Sequence, residues 1–217
     1  KRRAEVNGRD TNSGWLEYTV NIVYYNEPAI VALPYYYTSN VEILNYQRMR
    51  YNLGAGWAFA FPSVQLIKNN PENPNEIPKG IYYHTGNGTV FTVNRNGNNY
   101  YFDNYDGKDY VFDEDDPGNI GQLAIIKYSC TLQDGTKYYF GEYGQLLVIK
   151  DIYDNKIIID YTQETFYGRT DCRLIKKITD TVGRVVTFNY PNDYVIDVTV
   201  THPSTTEVLT MQYTKEM

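Results

Sequence analysis

Apolar and polar positions alternate with a period of two along most of this chain, in short runs cut by Gly, Asn, Asp or Pro. Alternation of that kind marks half-buried β-strands, and long helical periodicity is nearly absent. The first third predicts strands over Leu16–Tyr24, Ala29–Leu33, Tyr35–Thr38 and Val41–Met49, with Asn26-Glu27-Pro28 as a break. Pro34 cannot donate to a ladder and so marks a strand end or bulge. Gly54 and Gly56, two apart, precede Trp57, Phe59 and Phe61 at every second position, which predicts a tight bend feeding a strand whose three rings share one face. Val64–Ile67 is a further strand, and Asn69–Lys79, with Pro71, Pro74 and Pro78, is a polar loop and the best internal boundary. It divides the chain into an amino-terminal β region, 1–68, and a hairpin region, 80–217.

From Gly80 the pattern becomes rhythmic. Asn87-Gly88, Asn96-Gly97, Asp106-Gly107 and Asp134-Gly135 each lead into an aromatic strand, as in Asp134-Gly135-Thr136-Lys137-Tyr138-Tyr139-Phe140. In such dipeptides both central turn residues accept positive φ, as two-residue hairpins require. Four instances predict a repeat. A longer unit follows, Gly144 through Asp151 and Asn155 to Tyr161, echoed by Cys172 through Asp180 and Gly183 to Tyr190. Asp151 to Asp180 and Tyr161 to Tyr190 are both offsets of 29 residues, which argues for duplication. A hairpin with one apolar face is not stable alone and must stack on neighbours. The predicted fold class is all-β, an antiparallel hairpin ribbon, with a β-sandwich as the alternative.

Composition sharpens this picture through tyrosine: 24 Tyr stand against 8 Phe and 2 Trp in 217 residues. Tyr suits a pleated surface with its ring in the core and its hydroxyl near water. With 42% hydrophobic and 21% charged residues, the chain has the composition of a folded domain. The net charge of −6 and a single basic cluster, Lys1-Arg2-Arg3, offer no stripe for nucleic acid. No apolar run approaches the ~20 residues of a membrane span. The first residue is Lys and no apolar leader follows, so the chain reads as a cut from a longer one. Cys130 and Cys172 read as two buried thiols, or as a pair if their strands are neighbours.

Candidate chemistry is sparse. Asp113-Glu114-Asp115-Asp116 is a dense acidic run, but neither it nor Asp103-Asn104-Tyr105-Asp106-Gly107 has full calcium-loop spacing, and a solvated loop is the better reading. No carboxylate pair stands in an apolar setting that would raise one pKa. His84 and His202 read as surface or strand-end residues, since no Gly-x-Ser-x-Gly elbow is present. No metal, cofactor or enzymatic activity is predicted.

The motif Leu-x-x-Ile-x-Asp, a short turn with Asn or Gly, and a strand ending in Tyr resembles the YD repeat of the RHS family. It is seen in Leu146–Asp151 through Tyr161, and more clearly in Arg173–Asp180 through Gly183-Arg184 to Tyr190. Leu53-Gly54-Ala55-Gly56-Trp57 is similar to a segment near the start of RHS shells, and the likeness spans about 40 to 200. Glu142-Tyr143-Gly144-Gln145-Leu146 departs from the family's Tyr-Asp-x-x-Gly-Arg-Leu, and Tyr167–Cys172 is an irregular insertion. The resemblance implies a curved, solenoid-like β shell, secreted or on a bacterial cell surface, that encloses a carboxy-terminal toxin or effector, as in polymorphic toxins. Its partners would be the rest of the same chain and that effector.

A second class of reading is a carbohydrate- or cell-wall-binding module, because strand-borne rings stack on sugars. The platform candidates are Tyr36, with Tyr35 and Tyr37, and the pairs Tyr100–Tyr101 and Tyr138–Tyr139. Neighbouring residues on a strand point to opposite faces, so one ring of each pair is expected outside the core or lining a lumen. A glycan-active enzyme is the weakest reading.

Overall fold

The computed structural model describes residues 2–6, 20–24, 57–59, 61–70, 73, 75–85, 89–103, 105–114, 125–162, 174–192, 195–203 and 208–214. Among them every regular element is a strand, and every pairing is antiparallel. The all-β expectation holds. The predicted strands at Ala29–Leu33, Tyr35–Thr38 and Val41–Met49 lie outside the described residues, as do Gly54, Gly56, Tyr36 and Cys172.

The chain divides into two compact units, one built on Phe61–Asp160 and the other joining strands before Ala60 to those after Tyr161. In the second, terminal unit, β1 (Arg2–Val6), β2 (Val20–Tyr24) and β3 (Trp57–Phe59) form one sheet in that order. Of the predicted strand Leu16–Tyr24, residues 16–19 lie outside the described residues and Val20–Tyr24 is strand, and Trp57 and Phe59 lie on a strand as expected.

The central unit holds two sheets. The first orders β4 (Ser63–Ile67), β5 (Gly80–His84), β6 (Val90–Asn96) and β7 (Asn99–Phe102) as neighbours. The second runs through β8 (Tyr110–Glu114), β9 (Ile126–Leu132), β10 (Lys137–Gly141), β11 (Leu146–Lys150) and β12 (Lys156–Tyr161). The proline-rich loop Asn69–Lys79 connects β4 to β5, which pair directly from Ser63↔His84 to Ile67↔Gly80, so it lies inside one unit. Its polar residues close it: the Glu76 carboxylate accepts from the Asn69 and Asn70 N–H groups at 2.6 and 2.9 Å. Those two backbone bonds hold the Glu76 carboxyl below its ordinary pKa.

Back in the terminal unit, β13 (Ile175–Asp180), β14 (Val185–Asn192), β15 (Val195–Thr201) and β16 (Val208–Thr214) follow one another as hairpins. Tyr190 donates its hydroxyl to the Ile175 carbonyl at 2.7 Å, which ties β14 back to the start of β13. Burial raises the pKa of that phenol.

Period-two alternation explains the central core. On the first sheet Val64, Ile81, Tyr83, Val93 and Phe102 share one face and are all buried. On the second sheet the pairings Phe112↔Cys130, Cys130↔Tyr138, Tyr138↔Ile149 and Ile149↔Ile157 set the corresponding face. The two faces meet through Tyr83, whose ring lies 6.2 Å from Phe112 and 6.0 Å from Phe140. β11 is buried on both faces, with Leu146, Leu147, Val148 and Ile149 all inaccessible, the pattern of a strand covered on each side.

Candidate functional site

Two features of the fold carry functional information: the turns that repeat, and the aromatic seam of the central unit. The turns share one backbone frame. In each, the N–H of the first residue donates to the carbonyl of the fifth, and the N–H of the fourth donates back to the carbonyl of the first. The frame occurs at Leu132–Thr136, Gly141–Gln145, Asp151–Asn155 and Asp180–Arg184, with inner and outer bonds between 2.8 and 3.3 Å. The fourth residue is always left-handed: Gly135 at φ 83°, Gly144 at 74°, Asp154 at 70° and Gly183 at 81°. This is the three-residue hairpin loop in which a left-handed residue completes the turn.

That frame corrects the expectation of two-residue turns. Asp134 and Gly135 are the last two residues of a three-residue loop, and the Thr136 N–H donates to Asp134 Oδ1 at 2.8 Å. Asp106-Gly107 closes no hairpin at all: it belongs to the crossover from β7 to β8, between the two sheets. At Asn96-Gly97 a two-residue loop does form, closed by the pair Asn96↔Asn99, but its residues are Gly97 (φ 63°) and Asn98. Asn87-Gly88 lies outside the described residues. The dipeptide signals a turn because Gly tolerates positive φ, but not where in the turn the pair sits.

The 29-residue offset is structural as well as sequential. The pairs Val148↔Ile158, Ile149↔Ile157 and Lys150↔Lys156 reappear, each shifted by 29, as Lys177↔Thr187, Ile178↔Val186 and Thr179↔Val185. Asp151 Oδ1 accepts from the Tyr153 and Asn155 N–H groups, and Asp180 Oδ1 from those of Val182 and Arg184. The second oxygen of each Asp takes the side chain of the fifth residue: Asn155 Nδ2 at 2.8 Å, and Arg184 Nε. Where the first repeat has Asp154 in place of a glycine, Lys150 and Lys156 pair with its carboxylate at 2.7 and 3.3 Å and hold its pKa down. Tyr161 and Tyr190 lie on the return strands, β12 and β14.

The aromatic seam centres on Tyr83, whose neighbours are Phe102, Tyr110, Phe112 and Phe140. Phe112 in turn stacks on Tyr128. Burial drives the pKa values of the Tyr83 phenol and the Cys130 thiol up, Cys130 to about 12. Cys130 is a free, buried thiol. At the seam's edge, Tyr100 donates to Glu114 Oε2 at 3.1 Å, and Arg95 lies over the Tyr100 ring, 3.7 Å from the same carboxylate. Partial burial and the Glu114 charge push the Tyr100 phenol to about 12.

Of the platform candidates, the structure leaves Tyr101 open, at 51% exposure. Tyr100 faces the seam, in line with the expected split of that pair. Tyr138 and Tyr139 do point to opposite faces, but neither is outside: Tyr138 sits on the Cys130 face, and Tyr139 is 6% exposed. An interior strand such as β10 is covered on both sides, so adjacency of two rings does not expose one of them. His84 ends β5 yet is buried, and its Nε2–H donates to the equally buried Gln65 at 3.1 Å. His202 is exposed. Asp113 and Glu114 are exposed at the end of β8, and Asp115 and Asp116 lie outside the described residues. Among the described residues no three His, Cys, Asp or Glu converge as metal ligands, and no helix is long and apolar enough to cross a membrane.

No protein-family model matches the chain, and no curated protein or solved structure is significantly similar to it. The functional reading therefore rests on geometry.

The run Ile81-Tyr82-Tyr83-His84 does not distinguish Tyr83 from Tyr82, and the repeat that begins at Gly144 does not show what this glycine touches. The Val64 N–H donates to the Gly144 carbonyl at 2.9 Å, joining a turn of one sheet to the first strand of the other. A Cβ on Gly144 would stand 1.9 Å from the Val64 carbonyl oxygen. Beside it, Gln145 is buried and takes the Tyr143 N–H on its Oε1 at 3.1 Å.

Proposed function

We propose that this chain is a non-catalytic structural segment of an RHS-type secreted or cell-surface protein, part of a β shell around a carboxy-terminal toxin or effector. The observation that carries this reading is the duplicated hairpin, in which turn bonds, left-handed fourth residue and three cross-strand pairs all recur with one 29-residue shift. A repeat that preserves register as well as sequence extends a sheet by identical steps, which is what a wall requires. Hairpins of this kind bury apolar area on their neighbours and leave the turn chemistry to side chains of Asp, Asn and Arg. The partners are then other repeats of the same polypeptide and the enclosed domain.

The test is electron microscopy of the full gene product together with limited proteolysis. A hollow particle, with a carboxy-terminal region protected from protease until the wall is broken, is the expected result. A particle without an internal cavity, or polysaccharide turnover abolished by one carboxylate substitution, would overturn it.

A further inference from the structure

Three Asn-Gly or Asp-Gly dipeptides lie among the described residues, Asn96-Gly97, Asp106-Gly107 and Asp134-Gly135, and their surroundings differ. Asn96 and Gly97 are exposed, at the tip of the β6–β7 hairpin. The pair Asn96↔Asn99 closes that loop, and among the described residues neither the Asn96 side chain nor the Gly97 N–H has a hydrogen-bond partner. On the other side of Gly97, the Arg95 Nε–H donates to its carbonyl at 2.8 Å. Nothing lies within 4 Å of the position a Cβ on Gly97 would take.

The other two glycines are shielded. A Cβ on Gly107 would collide with the Tyr105 ring, which lies against that glycine with its hydroxyl donated to Asp109 Oδ2 at 2.9 Å. A Cβ on Gly135 would collide with Ile152, and Asp134 Oδ1 is already held by the Thr136 N–H. The side chains differ as well. An amide carbon can expel ammonia under attack, whereas a carboxylate must first be protonated to expel water.

We propose that Asn96 is a site of spontaneous deamidation, a modification that the chain performs on itself with water as the one co-reactant. The Gly97 nitrogen attacks Asn96 Cγ. The N–Cγ bond forms, the Cγ–Nδ2 bond breaks, and the Gly97 amide proton departs with Nδ2 as ammonia, leaving a five-membered succinimide. Water then opens that ring at Cγ, which gives aspartate, or at the Asn96 carbonyl carbon, which gives isoaspartate. No electrons are exchanged. Glycine is needed at the following position because any Cβ there crowds the attacking nitrogen. The aspartate product places a negative charge next to Arg95 in the chain. The isoaspartate product adds a methylene to the backbone at the Asn96↔Asn99 pair and so breaks the register that closes β6 on β7. The inference is independent of the shell reading, since it needs only this hairpin.

Peptide mapping by mass spectrometry tests it, on the folded chain aged in mildly alkaline buffer and on the same chain aged in urea. The Asn96 peptide should gain the mass of deamidation, with isoaspartate in excess over aspartate. Its rate should lie within about tenfold of the rate in urea, because the loop is already open. Asn98 and Asn99, exposed in the same hairpin but followed by Asn99 and Tyr100, are internal controls that should stay unchanged. Gly97→Ala should slow the conversion about tenfold or more, with circular dichroism checking the fold. Asn96→Gln keeps the glycine, and should abolish the signal at this position even if Gly97→Ala does not fold. Asn96 that stays intact in the folded chain while converting in urea, conversion to aspartate alone, or an unchanged rate in Gly97→Ala would overturn the assignment.

Discussion

Asp151 and Asp180, 29 residues apart, hold the same five hydrogen bonds. Each donates its N–H to the fifth residue of its turn and accepts on its carbonyl from the fourth. Each then uses one carboxylate oxygen for the N–H groups of the third and fifth residues and the other for the fifth side chain. An aspartate in this position satisfies backbone donors that a hairpin loop otherwise leaves to water. The expected consequence is that Asp151→Ala and Asp180→Ala each lower stability by about 1–2 kcal/mol. Arg184→Ala, which spares the backbone bonds, should cost less than Asp180→Ala. Urea denaturation followed by circular dichroism measures the order, and equal effects would show that the side-chain bond dominates.

Gly144 and Gly97 are both left-handed, but their surroundings differ. Nothing lies within 4 Å of a Cβ placed on Gly97, whereas on Gly144 it would stand 1.9 Å from the Val64 oxygen. Gly97→Ala therefore bears the conformational term alone, about 1 kcal/mol. Gly144→Ala adds a backbone collision at a point where two sheets are bonded, and the expected loss is about 3 kcal/mol or more. Thermal unfolding of the two variants side by side decides this; similar melting temperatures would mean that the Gly144 turn can shift away from β4.

How much of this was legible in the residues differs by feature. The strands and turns follow from alternation and from glycine, and the 29-residue spacing marks Asp151 with Asp180 and Tyr161 with Tyr190. The burial of Tyr139 was not legible, because alternation separates the faces of a strand without saying whether both are covered. Tyr82 and Tyr83 are adjacent and chemically identical, and only the register with β6 tells the outer ring from the one at the centre of the seam. Asp106-Gly107 has the same local chemistry as Asp134-Gly135. It ends in a crossover because the β7–β8 connection changes sheets, a decision made by long-range packing.

The seam should make the protein sensitive to alkali. Burial raises the phenols of Tyr83 and Tyr128 above their ordinary range, and that of Tyr138 to about 12, along with the Cys130 thiol. A group whose folded pKa is raised keeps its proton longer in the native state. Its contribution to stability is thus complete below the unfolded value, near 9 for the thiol and 10 for the phenols, and is lost as pH climbs toward the folded value. Stability should fall between about pH 10 and 12, with the buried phenols ionising together as the unit opens. Phenolate absorbance and circular dichroism recorded across that range should change at one midpoint. In a Cys172→Ser variant the remaining thiol, Cys130, should stay inert to a thiol reagent at pH 8 and react on unfolding. Phenols that ionise gradually while the fold persists would contradict the packing described.

β16 presents the last test. It pairs with β15 through seven consecutive residues, Val208↔Thr201 to Thr214↔Val195, and among the described residues it has no second neighbour. Val208-Leu209-Thr210-Met211-Gln212-Tyr213-Thr214 contains no charge and no proline, the devices that usually blunt a sheet edge. In a wall, the next hairpin would take that edge; in the isolated chain, a second copy can supply the same antiparallel ladder. The chain is therefore expected to show a rise in mass with concentration in sedimentation or light scattering. Thr210→Lys should shift the equilibrium toward monomer, because a charge on the edge opposes pairing without touching the β15 ladder. A species that stays strictly monomeric at high concentration would show that the edge is covered, and would remove the need for a neighbouring repeat at that position.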